Sequence, residues 1–408
     1  MTTSGPNQRQ ATALQGIKIV DLSRVLAGPF CTQILGDHGA QVIKVEPPIG
    51  DETRGWGPPF KDGQSSYFLG INRNKQGIAL DLSKPEGREI VFRLLEDADV
   101  LVENFKFGTL ERWGMGYDEV LKTRFPRLIH CRVTGFGGDG PFGGLVCYDA
   151  LAQAMGGIMA VNGERDGDPL RVGIPVADLV TGLYSVQAVL LALVERSRSG
   201  VGQSVEIALL DAAVSLVHPM AMNWFLDGKQ PRRLGNAHSN VTPYDSFRLG
   251  DKRIFIGATK NSQFQKMCEV LGKPEMASDP RFADNATRVE NRDALRAALE
   301  AALDGKDGMT LTRDLMAEGV PAAMILEVPE VLQHPQVLHR RMVVEKGDYK
   351  CTGIPIKMGR TPGSIRKVPP RLGEDNASVL KAAGFSDAQI DAWRAKGIVV
   401  DEKNGPTG

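Results

Sequence analysis

The segment GIKIVDLSRVLAGPFCTQILGDHGAQVIKVE, Gly16 to Glu46, decides how the chain is read. GIKIVDL and QVIKVE are short β-branched runs, and GPFCTQILGDHGA between them reads as a helix. Strand, helix and strand at these lengths make a βαβ unit on a parallel sheet. The order recurs in GIALDL, EGREIVFRLLEDA and DVLVENF, and again where TLERWGMGYDEVLKTRF, read as a helix, precedes the strand RLIHCRV. The expected fold class is α/β. Leu179, Leu183, Val186, Leu190 and Leu193 recur at helical spacing and predict a long helix from Ala177 to Ser197. A strand and another helix follow in SGVGQSVEIALLDAAVSLV, and Trp224 to Asp245 is polar and Gly/Pro-rich, the composition of a linker. RIFIGAT and several short helical segments up to Glu318 read as a smaller lobe; MVVEKGDYKCTGIPIKMGRTPGSIRKVPPRLGEDN is strand and loop, and the helical pair ASVLKAAGF and DAQIDAWRAKG closes the chain.

The chain has 408 residues, 42% of them hydrophobic, and its 49 Lys and Arg balance 49 Asp and Glu. This length supports more than one core. Zero net charge and the lack of a Lys/Arg run argue against nucleic acid as a partner. The longest uninterrupted apolar run, Ala188 to Val194, is far below the ~20 residues of a membrane span, so no membrane association is expected. The N-terminal MTTSGPNQRQATALQG is polar and without an apolar core, which predicts a frayed tail and a cytoplasmic protein. Cys31, Cys131, Cys147, Cys268 and Cys351 are odd in number, widely spaced and without a CxxC pair, which argues against a disulfide framework or a bound zinc ion.

GFGGDG, Gly135 to Gly140, matches the glycine spacing of a dinucleotide loop, yet PFGGLV follows where a helix would have to open. The glycines are better read as a turn that lets backbone approach a ligand closely. Asp178, in GIPVADLVTGLYSVQAV, falls in the first turn of the long helix, where the macrodipole favours a carboxylate. It is either a helix-start stabiliser or a nucleophile. Gly182, four residues on, is expected to leave room above it.

The blocks IVDLSRVLAGPFCTQILGDHGAQVIKVEPP, GDETRGWGPPF, NRNKQGIALDLSKPEG, ADVLVENFKFGTLERWGMGY, YDALAQAMGG, PVADLVTGLY, RSRSGVGQSVEIALLDA and PPRLGEDN together resemble the family III CoA-transferases, the group of formyl-CoA and carnitine CoA-transferases. The likeness runs in order from Gly16 to Val399. It implies a large doubly wound, Rossmann-like domain built from 12–205 and 346–408, a small α+β domain at 236–325, linkers at 206–235 and 326–345, and an interlocked homodimer. It implies that coenzyme A and acyl-CoA are substrates, with no tightly bound cofactor, and that Asp178 carries the acyl group.

By position, the resemblance places CoA against Leu26, Ala27, Leu80, Asp81, Leu82, Ser83, Asn104, Phe105, Lys106, Arg112, Thr134, Gly135, Phe136 and Gly137. Two features depart from formyl-CoA transferases: Pro47 and Pro48 follow Glu46 where a basic residue is common, and GNAHSNVTPYDSF replaces a glycine-rich lid. GDETRGWGPPF, NRNK, GDPLRVG and GNAH look more like members that use succinyl-CoA with glutarate, itaconate, mesaconate or malate. A dicarboxylate leaves one carboxylate needing a cationic partner, and the candidates are Arg54, Arg73, Arg171 and His238. The competing enzyme class, a 2-methylacyl-CoA racemase, carries a His where this chain has Tyr148, beside Asp149. A CoA-binding protein without turnover is the third reading.

Overall fold

The computed structural model describes residues 12–402. The first eleven residues of the expected tail lie outside this range; 12–16 form a turn in which the Leu14 N–H donates to the His38 carbonyl at 3.0 Å, so this part is docked rather than frayed. The described residues fall into two units. One holds 12–158, Val172–His218 and 339–402, the other Met159–Arg171 and Pro219–Leu338.

The first unit is built on β1 (Lys18–Asp21), α1 (Ala27–Asp37), β2 (Gln41–Glu46), β3 (Lys75–Ala79), α2 (Pro85–Leu95), β4 (Val100–Glu103), β5 (Ile129–Thr134), α3 (Asp149–Met155), α4 (Val176–Ser199), β6 (Ser204–Ala208) and α5 (Leu209–Ser215). The six strands form one sheet in the order β3-β2-β1-β4-β5-β6, every neighbouring pair parallel. Ile19, Val20, Val42, Ile43, Leu101 and Val102 are almost wholly buried, as expected for strands covered on both faces. The strand order reverses between β1 and β4. At such a switch point the chains leave in opposite directions and open a crevice beyond the carboxyl ends of the strands.

Charged residues are buried beside this crevice. Asp21, at the end of β1, accepts from Lys75 Nζ at 3.1 Å, from Thr32 Oγ1 at 2.6 Å and from the Ser23 N–H at 3.0 Å. Lys44 on β2 donates to the Ser23 carbonyl and to Asp51, both at 2.9 Å. Burial opposes the charge of Asp51, but the Lys44 ammonium and the Thr53 donors hold its carboxyl down to about 2. The turn from β1 into α1 is thus anchored from beneath by ions whose hydrogen bonds are made inside the protein.

α4 spans Val176–Ser199 rather than 177–197 and is long and apolar enough, at a mean hydropathy of 1.7, to cross a bilayer by length and composition; Thr181 and Gln187 interrupt the run and hide this from the uninterrupted-run reading. Its Ala177, Thr181, Gly182, Ser185, Val186 and Val189 are buried in the protein. A Cβ on Gly182 would stand 2.8 Å from the Ala27 carbonyl. Gly182 therefore permits close packing of α4 on α1, and does not clear space above Asp178 as the sequence suggested. The single helix expected in 109–125 is instead three short turns, Thr109–Arg112, Tyr117–Leu121 and Lys122–Arg124, with Gly114 at φ +69° between the first two.

The second unit has an antiparallel sheet of β7 (Tyr244–Leu249), β8 (Lys252–Gly257) and β9 (Ala322–Met324), in the order β9-β8-β7. With α6 (Asn261–Leu271), α7 (Arg292–Leu303) and α8 (Gly308–Ala317) it encloses its own core around Phe247, Ile254, Phe264, Leu299 and Leu315. Residues 159–171, expected in the large domain, group here because the Gly235 N–H donates to Gly163 and Arg233 donates to the carbonyls of Ala160 and Gly167. The two expected linkers are also partly structured: 206–208 finish β6, α5 and Met220–Asp227 are helical, and Val328–Gln333 and Pro335–His339 are short helices.

The chain then returns to the first unit through α9 (Asn376–Ala382) and α10 (Asp387–Ala395). Asp375 accepts from the Gly77 N–H at 2.7 Å, Asn376 from the Ala79 N–H at 3.0 Å, and the Val400 N–H donates to Ala79 at 3.1 Å. The exposed edge of β3 is paired in this way, which removes a site for intermolecular strand addition.

Asp21→Ala leaves the Lys75 ammonium buried without its counter-charge and is expected to cost about 3–5 kcal/mol. Asp97→Ala, which breaks a surface pair with Lys18, is expected to cost under about 1 kcal/mol. Urea unfolding midpoints of the two variants check the contrast.

Candidate active site

A pocket of ≈ 220 Å³ opens at the switch point. Its walls come from the turn after β1 (Arg24 to Ala27), the loop after β4 (Asn104 to Phe107), the end of β5 (Val133 to Gly135, with Gly137), and Leu209 at the start of α5; Asp178 reaches it from α4. The β1 turn is tightly held. Asn104 Oδ1 accepts from the Arg24 N–H at 2.8 Å while its Nδ2 donates to the Arg24 carbonyl at 2.7 Å. Val25 adopts φ +67°, a strained conformation for a β-branched residue that the surrounding contacts must enforce. α1 begins at Ala27 without a side-chain cap, so its first N–H groups have no local side-chain acceptor.

Asp178 is the third residue of α4 and is half-buried. It does not cap the helix. That work falls to Asp149, whose Oδ1 accepts from the N–H groups of Ala177 at 2.9 Å and Asp178 at 3.3 Å, and whose Oδ2 accepts from Gln153 at 2.7 Å. Among the described residues no hydrogen bond ends on the Asp178 carboxylate, so its oxygens are left for a ligand. Burial first, and then the Asp149 charge, push the Asp178 carboxyl up to about 7. The effect extends to its neighbours. Burial and the Asp178 charge push the Cys147 thiol up to about 11, where it is a poor nucleophile, and burial with the Asp178 and Asp149 charges pushes the Tyr67 phenol up to about 12.

Of the residues expected against CoA, Leu26, Ala27, Asn104, Phe105, Lys106, Thr134, Gly135 and Gly137 line this pocket together with Asp178. A Cβ on Gly135 would come within 2.4 Å of Cys147, which accounts for the glycine by close packing. Phe136 does not line the pocket and packs at a tilt of 42° against Phe142, ring centres 5.4 Å apart. Leu80 and Leu82 are buried in the core, Asp81 accepts from Ser83 at 2.6 Å, and Arg112 donates to Thr109 at 2.9 Å; none of these five lines the pocket.

The expected dicarboxylate anchors fare differently. Arg54 grips Glu46 with Nε and Nη2, both at 2.7 Å, and Arg73 grips Asp37 and donates to the Thr352 carbonyl at 2.7 Å. Both guanidinium groups are engaged in the scaffold, which corrects their assignment as substrate anchors. Arg171 and His238 lie in the second unit, Arg171 exposed and His238 accepting from the Asn240 N–H at 3.1 Å. The sequence reading missed Arg24, Phe107, Cys147 and the capping role of Asp149. For Arg24 the available signal was its place directly after a central strand of a parallel sheet.

An uncapped carboxylate of raised pKa, beside glycine-rich backbone at the switch point of a parallel sheet, is equipped for nucleophilic attack on a ligand with an extended arm. The sequence model described as CoA-transferase family III matches residues 14–376. The succinate-glutarate CoA-transferase of Agrobacterium fabrum is 40% identical over 390 residues, covering 93% of this chain and 97% of that protein. The acetyl-CoA:oxalate CoA-transferase of Acetobacter aceti is 38% identical over 377 residues, covering 92% and 96%. Among solved structures, a CaiB/BaiF family protein from Brucella suis matches with a TM-score of 0.85 at 42% identity, over 92% of this chain and 100% of that one. By sequence and by fold, this chain belongs to CoA-transferase family III.

Proposed function

We propose that the protein moves CoA from succinyl-CoA to a C4 or C5 dicarboxylic acid, and that Asp178 carries the acyl group in transit. The observation that bears this reading is the Asp178 carboxylate itself, which faces the pocket while Asp149 takes over the helix cap. Related proteins named for succinate with glutarate and for oxalate support a dicarboxylic acceptor.

An Asp178 oxygen attacks the thioester carbonyl; the C–S bond breaks and CoA thiolate leaves, giving a mixed anhydride. The thiolate then attacks the aspartyl carbonyl of that anhydride, releases the donor acid as its carboxylate and leaves an aspartyl-CoA thioester. The acceptor carboxylate attacks this thioester and expels the thiolate again. Attack of the thiolate on the acceptor's acyl carbon forms the new thioester and restores the Asp178 carboxylate. Each step exchanges one activated acyl group for another, so catalysis consists of positioning and of stabilising oxyanions. The uncapped start of α1, where Leu26 and Ala27 line the pocket, is suited to the second task. CoA would lie along Asn104 to Lys106 and Thr134 to Gly137. The racemase reading lacks its histidine, since by the resemblance Tyr148 stands in that position.

We also take the working form to be a homodimer, interlocked as the family resemblance implies. Leu183, Leu191 and Val194 expose an apolar face of α4, Leu191 to 70%, which a second copy would cover. Interlocked subunits cannot part without unfolding, so Leu191→Glu is expected to lower the urea midpoint of the dimer and to release no folded monomer in analytical ultracentrifugation.

Asp178→Asn and Asp178→Ala are each expected to lower thioester exchange at least ~10³-fold. Hydroxylamine trapping of the wild type with succinyl-CoA should mark the Asp178 peptide by mass, and an unmarked peptide would refute the mechanism. An acceptor panel of glutarate, mesaconate, itaconate, malate and oxalate identifies the acid; a preference for oxalate would displace the C4/C5 assignment.

The pH dependence follows from the raised Asp178 pKa. Attack requires the ionised form, so kcat/KM for succinyl-CoA should fall about tenfold per unit as pH drops below about 7. For stability the sign is opposite. The folded state holds the proton up to about 7, whereas the unfolded carboxyl has released it, so this carboxylate costs stability as pH rises toward 7. Asp178→Asn should therefore melt higher than wild type at pH 8 and converge with it near pH 4.

A further inference from the structure

The cations packed around the sheet have anionic partners: Lys44 with Asp51, Lys75 with Asp21, Arg54 with Glu46, Arg73 with Asp37, and Arg132 with Glu103 and Glu111. Arg24 stands apart. It lines the same pocket as Asp178, it enters no ion pair among the described residues, and its Nε is buried without a hydrogen-bond partner. Its guanidinium lies 5.6 Å from the centre of the Phe105 ring, and its backbone is fixed on both sides by Asn104. A half-buried guanidinium that lines the pocket and pairs with no carboxylate of the described residues is available to an incoming oxyanion.

We propose that Arg24 binds the free carboxylate of the acyl group while the other end of that group is joined to Asp178, and so sets the preference for dicarboxylic over monocarboxylic acids. This rests on the acyl-transfer reading of Asp178. Donor and acceptor occupy one pocket in turn, so a single arginine serves both succinyl and its exchange partner. Lys106, exposed on the loop after β4, is the pocket's other cation and is the one placed for a solvated phosphate. A carboxylate and a phosphate share the fork geometry that an arginine recognises, and the experiment separates them.

Arg24→Gln and Arg24→Lys are assayed in the full-length enzyme with succinyl-CoA plus glutarate and with butyryl-CoA plus valerate, which have matching chains without the second carboxylate. For Arg24→Gln the ratio of the two kcat/KM values is expected to fall about 10²-fold, because the dicarboxylate loses its partner. Arg24→Lys keeps the charge without the fork and should fall in between. The readout is a ratio within one preparation, so any loss of folded enzyme cancels. Equal losses with both thioesters would assign Arg24 to the CoA moiety and overturn the proposal, as would an unchanged ratio. If wild type leaves no trapped acyl group on Asp178, the transfer reading itself fails; if the adduct forms and the variants keep the wild-type preference, only the role of Arg24 is refuted.

Discussion

The buried charges under the β1–α1 turn are the constraint from which the pocket follows. Asp21 and Lys75, and Lys44 and Asp51, are pairs whose side chains are fully buried. Desolvating four ions is expensive, and the hydrogen bonds around them recover that cost only if every partner is in place. The benefit is geometric. Asp21 is tied to α1 through Thr32, Lys44 reaches the Ser23 carbonyl, and Asp51 approaches the Val25 N–H at 3.4 Å. An apolar core could fill the same volume, but it could not fix a five-residue turn and a left-handed valine at the mouth of the crevice.

Two aspartates, 29 residues apart, divide one helix start between them. Asp149 accepts from the first N–H groups of α4 and is engaged there as the helix cap. Asp178, in the first turn of the same helix, receives no hydrogen bond from the described residues and is partly desolvated beside a like charge. Its raised pKa is a consequence of this division. A carboxylate too well solvated by donors would be a weak nucleophile, and one wholly buried would stay protonated. The position between these extremes arises from packing, with Gly182 allowing α4 to lie close against α1.

The alternation of strands and helices was legible from Gly16 onward because buried parallel strands read as short apolar runs and amphipathic helices keep their period. Glycines at 114 and 116 broke the helix expected at 109–125, since tertiary packing and backbone conformation decide where short turns stop. The second unit's share of 159–171 was invisible to local pattern, being held by hydrogen bonds from Arg233 and Gly235 more than sixty residues away. In the pocket, Asp178 and most of the glycine-rich strip could be placed from the sequence. The arginines could not. NRNK, read as a mark of substrate choice, proves to be scaffold: Asn72 accepts from Lys75, Arg73 holds Asp37, Asn74 accepts from the N–H groups of Arg366 and Lys367, and Lys75 pairs with Asp21. Sequence shows which residues are charged, but only packing shows whether the charge is already answered.

The pairing of β3 with residues 375–400 also bears on how the protein is made. During synthesis the outer strand of the large sheet emerges well before the segment that shields it, which leaves the ribosome only after the whole second unit. Until then β3 presents bare N–H and C=O groups at the rim of a half-built sheet, a surface on which nascent chains can add to one another. Slow translation across the middle unit, or a stall before Asp375, would lengthen that exposure. Cellular yield should therefore depend on elongation and chaperone supply in a way that the stability of the finished fold does not reveal.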